Sequence, residues 1–187
     1  MNVGCNRVNI LITGSPGSGK STLIKRLVET LGWQMAGYCT WPYLIENEKR
    51  GYYLHCFTDI PDQLNDLPIS VLQAPKTSIG MGETFRTLGT KCLAQALNSQ
   101  ADCIILDEIG RFEQNEPDFI KALHAVLDQK QKPVFAVIKK EPICFLKDIL
   151  ARPDCIHIDL DTTDQEKAFL IALGAARASK GEQRKGI

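Results

Sequence analysis

A glycine-rich loop near the start of the chain constrains the fold more than any other feature. It matches the pattern G-x-x-x-x-G-K-[ST] in full, with the residues Gly14, Ser15, Pro16, Gly17, Ser18, Gly19, Lys20, Ser21 and Thr22. The apolar, β-branched run Val8–Thr13 comes directly before the loop and predicts a buried strand. Apolar residues at helical spacing between Leu23 and Leu31 predict a helix after the loop, which Gly32 would end.

The residue types of this loop indicate phosphate binding. Its glycines let the backbone turn several N–H groups inward on an anion, with the positive end of the helix behind them. Lys20 would reach the β- and γ-phosphates of a nucleoside triphosphate, and the Ser21 hydroxyl would ligate Mg²⁺. The position between a predicted strand and a predicted helix is the context that such a loop requires.

A second signal is an apolar strand that ends in two acids. The segment consists of Cys103, Ile104, Ile105, Leu106, Asp107, Glu108, Ile109 and Gly110. Burial of this strand on both faces would place the acids at its carboxyl end, where ligands of open α/β sheets collect. Asp107 would hold Mg²⁺ through its water shell. Glu108 would orient or deprotonate a water molecule that attacks the γ-phosphate.

Strands and helices alternate along the chain and predict an α/β sandwich around a mainly parallel sheet. Further strands are predicted at 35–40, 101–106, 133–138 and 155–158, and further helices at 83–97, 117–127, 143–150 and 164–177. A β-hairpin, Tyr43–Phe57 with the polar turn Glu46–Gly51, is inserted into this pattern. Residues 59–82 hold three prolines and are predicted to be mostly loop, with a short strand at Ser70–Gln73. We expect one domain over residues 1–178 and a polar tail over residues 179–187.

Composition excludes several classes of protein. The 187 residues are 44% hydrophobic and 24% charged, which is unlike a disordered chain or a collagen-like fibre, and the length is too short for a multi-domain assembly. Lysine plus arginine (22) balances aspartate plus glutamate (22), so the net charge is zero. The whole-chain basic excess of a dedicated nucleic-acid binder is therefore absent.

The sequence also indicates a cytoplasmic protein. Its apolar runs are too short to cross a bilayer, and no signal peptide is visible before the loop. The seven cysteines form no C-x-x-C pair, which argues against a zinc ribbon or a redox motif. They are Cys5, Cys39, Cys56, Cys92, Cys103, Cys144 and Cys155, and several of them lie inside apolar runs and are expected to be small buried thiols in a reducing cytosol.

The segment Asp107–Gly110 also fits the D-x-x-G pattern of GTPases. However, the chain contains no N-K-x-D motif, which those proteins use to read guanine. Lys139–Glu141, of sequence Lys-Lys-Glu, stands after the predicted strand at 133–138, where such a motif would fall. A strict guanine switch is therefore disfavoured.

Four segments together resemble the THEP-type nucleoside-triphosphatases, a family that includes the cancer-related nucleoside-triphosphatase of animals. They are the loop at 14–22, Gly37–Thr40 with Arg50–Tyr52, the run Ile105–Glu113, and residues 149–160. The resemblance implies the three-layer sandwich of P-loop NTPases and hydrolysis of nucleoside triphosphates with broad base tolerance. It also implies that the loop at 14–21 and the segment at 103–110 form the nucleotide site.

The chain departs from the pattern of that family at two places. Trp41 and Pro42 stand where the family usually has two acids after the threonine. Gln165 and Glu166 stand where the family tends to have an Asn-Arg pair at the start of the last helix. Because of these departures, a partner or substrate shared with the family does not follow for this chain. The triphosphate chemistry does not depend on either position.

Two arginines are candidates for neutralising charge on the γ-phosphate. Arg111 stands at the position of the family's lysine, and Arg50 precedes Gly51 of the hairpin. The alternative for each is a solvated surface residue, and Glu113 is a candidate partner for one of them. The three histidines, at His55, His124 and His157, lack metal-ligand spacing and are interpreted as ordinary.

The first hypothesis is a Mg²⁺-dependent nucleoside-triphosphatase that hydrolyses ATP, GTP and other triphosphates. Lys20 would clamp the phosphates, Ser21 and Asp107 would position the metal, and Glu108 would align the water, with Arg111 as a further catalytic candidate. The first rival is a small-molecule or nucleotide kinase, whose acceptor the hairpin would wall off. The second is a nucleotide-dependent module that binds an unidentified protein partner. Exposure of Trp41 and Tyr43 would favour that module, and burial would favour the plain enzyme.

Overall fold

The computed structural model describes residues 9–74 and 77–179. Its strands are β1 (Asn9–Thr13), β2 (Met35–Ile45), β3 (Glu48–Cys56), β4 (Leu67–Ala74), β5 (Thr77–Gly80), β6 (Cys103–Ile109), β7 (Val134–Ile138) and β8 (Cys155–Asp159). Its helices are α1 (Lys20–Leu31), α2 (Gly82–Thr84), α3 (Thr90–Asn98), α4 (Pro117–Asp128), α5 (Cys144–Leu150) and α6 (Gln165–Ser179). A π-helical segment, Phe85–Gly89, joins α2 to α3, and a 3₁₀ turn spans Asp62–Leu64.

One sheet contains all these strands, in the order β5-β4-β3-β2-β6-β7-β1-β8. The five strands from β2 to β8 in this order pair in parallel, whereas β3, β4 and β5 add an antiparallel extension beyond β2. The carboxyl ends of the parallel strands meet at one edge of the sheet, which is where α/β proteins bind ligands.

Helices cover both faces of the parallel part of the sheet. In β7, Phe135 and Val137 pack with residues of α1 and α6, and the alternate residues Val134 and Ala136 pack with residues of α3, α4 and α5. Successive side chains of a strand point to opposite faces, so a strand that is buried on both faces becomes apolar throughout. This arrangement confirms the predicted three-layer α/β sandwich.

The hairpin differs from its prediction in its turn and in its origin. The turn consists only of Glu46 and Asn47, with φ of 52° and 63°, and β3 already begins at Glu48. Two-residue turns with positive φ match the twist of the flanking strands and keep the hairpin tight. The hairpin is a continuation of β2, because this strand runs without a break through Trp41 and Pro42.

The prediction that residues 59–82 are mostly loop is wrong. They contain β4 and β5, and the predicted short strand Ser70–Gln73 lies inside β4. Pro68 belongs to β4, at a register irregularity opposite Tyr53 where the ladder of hydrogen bonds is interrupted, so its missing N–H is tolerated. Most of β4 and β5 is at least partly exposed, and this weakens the apolar signal of both strands.

The other predicted elements lie close to the observed ones. Gly32 ends α1 with φ of 61°, as the sequence indicates. β6 is longer than predicted and includes Asp107 and Glu108 inside the strand. Cys5, Val8, Pro75 and residues 180–187 of the predicted tail lie outside the described residues.

The prediction for the cysteines is correct only in part. Cys39 and Cys103 are buried, whereas Cys144 is exposed. Cys56 and Cys92 form a disulfide between β3 and α3, with 5.9 Å between their Cα atoms. The interpretation of these two residues as thiols is therefore wrong, because the fold brings together side chains that lie 36 positions apart in sequence.

In residues 9–74 and 77–179, no helix combines the length and the apolar character that crossing a membrane requires.

Candidate active site

The glycine-rich loop connects β1 to the amino end of α1, as its sequence predicts. Gly14 has φ of 146° and Gly19 has φ of 90°, values that side chains with a Cβ rarely adopt. A Cβ on Gly14 would lie 2.6 Å from Ser18 Oγ, and one on Gly19 would lie 2.5 Å from Gln165 Nε2. The loop therefore needs glycine at both positions to wrap tightly around the start of the helix.

Lys20 is the first residue of α1, and its side chain reaches back into the loop. Its Nζ donates to the carbonyl oxygens of Gly14 and Ser15, at 2.8 Å each, and the residue is only 9% exposed. A cation with so little access to water is stabilised by nearby anions. The arrangement holds the ammonium group where it can contact a phosphate chain that binds to the loop.

Asp161, which follows β8, connects the loops that follow β1, β7 and β8 at the carboxyl edge of the sheet. Asp161 accepts the backbone N–H of Ser15 at 2.8 Å and the Ser15 hydroxyl at 3.0 Å. Lys140, which follows β7, pairs with Asp161 at 2.5 Å and with Asp159 at 2.9 Å. The hydrogen bonds from Lys140 and Ser15 lower the pKa of Asp161 to about 2, so its carboxylate stays charged as an anchor of the loop. Sequence analysis missed this contact; the position of Asp161 just after a parallel strand is the signal it could have used.

Asp107 lies in β6 and is 9% exposed. Its carboxylate lies near the Ser21 side chain. Burial raises the pKa of Asp107 to about 6, although Ser21 and the charge of Lys20 both act to lower it. Ser21 and Asp107, the two predicted metal ligands, thus lie side by side, and the Asp107 carboxylate has little access to solvent.

Glu108 contacts a residue that sequence analysis considered only as evidence against a guanine reader. Its Oε1 lies 2.7 Å from Nζ of Lys139, which follows β7, and both side chains are partly exposed to the pocket. Burial alone would lower the pKa of Lys139, but the ion pair with Glu108, together with the charges of Glu141 and Glu113, outweighs it and leaves this pKa raised. Lys139 therefore remains charged and fixes the position of the Glu108 carboxylate.

The two candidate arginines lie in different places. Arg111 lines the pocket described below, pairs with Glu141 at 3.2 Å and lies over the ring of Phe112 at 4.9 Å. Arg50 lies on the hairpin and pairs with Glu48 at 2.7 Å. Arg50 is not among the residues that line this pocket, so Arg111 is the better-placed candidate.

Glu113 is buried, and both oxygens of its carboxylate accept the backbone N–H of Gly110 at 3.2 Å. Glu113 therefore pairs with neither Arg50 nor Arg111, because this side chain turns inward to close the bend after β6. Burial raises the pKa of Glu113 to about 7; the nearby charge of Lys139 lowers it and that of Glu108 raises it further.

Replacing Glu113 by glutamine is expected to remove a pH dependence of folding stability. Glu113 keeps its proton in the folded chain up to about pH 7 and loses it above a pKa of 4.5 in the unfolded chain, so the free energy of unfolding falls as pH rises between these values. Glutamine is neutral in both states, so Glu113→Gln should gain about 1–3 kcal/mol over wild type between about pH 5 and pH 8.

Urea unfolding across that pH range measures this gain. Glu29→Gln is the matched control, because this carboxylate is mostly exposed and pairs only with Lys25 at 3.9 Å. A difference between Glu113→Gln and wild type that stays constant with pH would contradict the assignment.

A pocket of about 850 Å³ brings the predicted site residues together. Its lining includes most of the loop, the acids of β6, Arg111 and three residues after β7, namely Gly14, Ser15, Pro16, Gly17, Gly19, Lys20, Ser21, Thr22, Asp107, Glu108, Arg111, Lys139, Lys140 and Glu141. The rest of the lining comes from the hairpin, at Thr40, Trp41, Pro42 and Tyr52. Of the predicted segment at 103–110, the residues 103–106 and 109 are buried in the sheet, and Gly110 lines a small adjoining cavity.

The two aromatic residues that separate the rival hypotheses differ in exposure. Trp41 is 44% exposed and lines the pocket. Tyr43 is partly buried, and its ring lies so close to Gly51 that a Cβ there would approach to 2.6 Å. Only Trp41 therefore meets the condition that favours a binding module.

Comparison with known proteins gives consistent matches over nearly the whole chain. A family profile described as NTPase matches residues 9–172. Nucleoside-triphosphatase THEP1 of Thermotoga maritima is 31% identical over 180 residues, which cover 95% of this chain and 100% of that protein. The protein of the same name from Methanothermobacter thermautotrophicus is 29% identical over 170 residues, covering 87% of this chain and 92% of its own.

Two solved structures share the fold. THEP1 from Aquifex aeolicus matches with a TM-score of 0.69 and 23% identity, over 89% of this chain and 98% of that chain. A human cancer-related nucleoside triphosphatase matches with a TM-score of 0.66 and 20% identity, over 95% of this chain and 100% of its own. At these identities the likeness concerns the fold alone.

Proposed function

Because the chain belongs to the NTPase family, we propose that it hydrolyses nucleoside triphosphates, ATP and GTP among them, to the diphosphate and inorganic phosphate. The observation that carries the proposal is the convergence of Lys20, the Ser21–Asp107 pair and Glu108 on one pocket at the carboxyl edge of the sheet. These residues would form a phosphate cradle, a site for a cation and a carboxylate for the water next to one another.

Residues of the loop would hold the triphosphate. Backbone N–H groups between Gly14 and Thr22 lie at the amino end of α1, where the helix dipole favours negative charge. Lys20 would exchange its carbonyl contacts for the β- and γ-phosphate oxygens. The hydrogen bonds that Ser15 donates to Asp161 would keep the loop in position while this exchange takes place.

The residues at the carboxyl end of β6 fit a magnesium ion. The Asp107 carboxylate has a pKa raised by burial, so a nearby cation would offset the cost of its charge, and Ser21 would supply a second oxygen ligand. Among the described residues, no group of three or more His, Cys, Asp or Glu side chains is arranged to hold a metal. Such a sparse donor set suits Mg²⁺, which keeps water and phosphate oxygens as its remaining ligands. Bound there, Mg²⁺ would neutralise charge on the phosphates.

Glu108 would align the attacking water. The water oxygen forms a bond to the γ-phosphorus, the bond to the β–γ bridging oxygen breaks, and the proton of the water goes to Glu108. Lys139 holds the carboxylate in place at 2.7 Å. Arg111 lines the same pocket and would stabilise charge that develops on the γ-phosphoryl oxygens.

Phosphate release from ATP, GTP, CTP and UTP, each with Mg²⁺ and with a chelator instead, tests the proposal. We expect release from several of the four nucleotides, because the resemblance to the THEP-type nucleoside-triphosphatases implies broad base tolerance. Chelation should lower the rate by at least about a hundredfold, since the metal stabilises transition-state charge. Tight triphosphate binding without phosphate release would contradict hydrolysis and favour a kinase, whose acceptor the hairpin would wall off. The cytoplasmic location expected from the sequence remains a prediction.

A further inference from the structure

Trp41 is the feature of the pocket to which triphosphate hydrolysis assigns no role. Its indole stacks on the imidazole of His55, with ring centroids 4.7 Å apart and an interplanar angle of 16°. The ring of Tyr53 lies nearly perpendicular to it, with 5.9 Å between the ring centroids, and Nδ1 of His55 lies 2.7 Å from Oδ1 of Asp66. The indole is therefore held in position, yet 44% of the residue remains exposed. A large aromatic surface that is fixed in this way binds another ring with little loss of entropy.

The register of the sheet places Trp41 beyond the phosphate end of the site. Cys39 pairs with Asp107, so Trp41 lies two residues further along β2. From strand spacing and rise, its Cα is about 8 Å from that of Asp107, whereas β2 lies about 14 Å from β1. A triphosphate between the loop and Asp107 would end before it reaches Trp41. Its base would leave from the opposite end of the phosphate chain.

The charges around the pocket indicate what kind of ligand would occupy this end. Lys139 is paired with Glu108 at 2.7 Å, and Arg111 is paired with Glu141 at 3.2 Å. The hairpin contributes only uncharged side chains to the lining, at Thr40, Trp41, Pro42 and Tyr52. Lys139 and Arg111 would serve the γ-phosphate, and the hairpin adds no charge of its own to the lining, so this end favours a neutral ring over a second phosphate-bearing ligand.

We propose that the hairpin end of the pocket binds a second ligand with a neutral, planar aromatic ring, of the size of a nucleoside, which stacks on Trp41 beside the γ-phosphate. This inference rests on the proposed function for the position of the triphosphate. The pocket volume of about 850 Å³ lies towards the upper end of the range for one drug-sized ligand, so there is room beside the phosphate chain.

Adenosine is the ligand used to test this site. Adenine is titrated in parallel to measure whether binding needs the ribose as well as the ring. The chain has two tryptophans, so Trp33→Phe leaves Trp41 as the only one. Adenosine should quench the fluorescence of this variant saturably when it is filled with Mg²⁺ and the β,γ-imido analogue of ATP. Calorimetry should show affinity about tenfold or more weaker for Trp41→Leu, and recovery of most of it in Trp41→Phe, because base stacking needs an aromatic face.

Trp33→Phe serves as the control by calorimetry, since Trp33 is buried against Phe135 on the face of the sheet that α1 and α6 cover, and it should bind adenosine as the wild type does. Three results would overturn the inference: no adenosine binding, equal binding by Trp41→Leu, or competition between adenosine and the ATP analogue. Phosphate release from ATP without adenosine is measured on the same preparations. Its absence would contradict the proposed function and leave the adenosine titration to decide on this site.

Discussion

Replacing Lys20 by alanine is expected to lower kcat/KM for ATP by at least about 10²–10³-fold, the loss that follows removal of one donor aimed at developing charge. Lys20 is the cation of the loop, buried to 9% exposure and held 2.8 Å from two loop carbonyl oxygens. Alanine would leave the phosphate cradle without its point charge. The affinity for the triphosphate should fall together with the rate, because the ammonium contacts phosphate in the ground state as well.

Lys25→Ala is the matched control for this prediction. Lys25 lies on the same helix, its side chain is 77% exposed, and it pairs only with Glu29 at 3.9 Å. Exposed pairs of this kind contribute little to stability. Steady-state phosphate release from both variants, with thermal unfolding to check that each is folded, gives the comparison. If Lys20→Ala kept more than about a tenth of the wild-type rate, the loop would not be the site of phosphate transfer.

The parallel part of the fold could be predicted from sequence because its signals are local. Each strand there is a short apolar run, and the loop at 14–22 carries its own chemistry in nine consecutive residues. The antiparallel part could not be predicted equally well. β4 and β5 are half-exposed and β4 contains Pro68, so their sequence pattern is typical of a loop. Only the structure shows that β4 pairs with β3.

Part of the candidate site could be predicted because its signals are also local. The prediction was incomplete because other residues of the site come together only in the folded chain. Asp107 and Glu108 are recognisable from the sequence because they are two acids that directly follow an apolar run. Lys139 and Asp161 act in the site only because β7 and β8 end beside β6 and β1, and this adjacency exists only in three dimensions. The same holds for Glu113, whose partner is a backbone N–H.

Replacing Glu108 by glutamine is expected to lower kcat by about 10²–10⁴-fold, the usual contribution of a positioned acid or base. Glutamine keeps the shape of the side chain and can still accept a hydrogen bond from Lys139, but it cannot take the proton of the attacking water. KM should change much less than kcat, because Glu108 lies beside the loop and not within it. This division between kcat and KM separates a base from a residue that only helps to bind the triphosphate.

The control variant is Glu83→Gln, whose carboxylate is exposed and pairs with Arg86 at 2.6 Å, outside the pocket lining. It should leave phosphate release within about twofold of wild type, as surface substitutions usually do. Titration with the β,γ-imido analogue of ATP would show whether Glu108→Gln still binds the nucleotide. A variant that binds the analogue and still hydrolyses ATP at the wild-type rate would remove Glu108 from the chemistry. The proton would then have to leave by way of a γ-phosphate oxygen, with Lys139 and Arg111 supplying only charge.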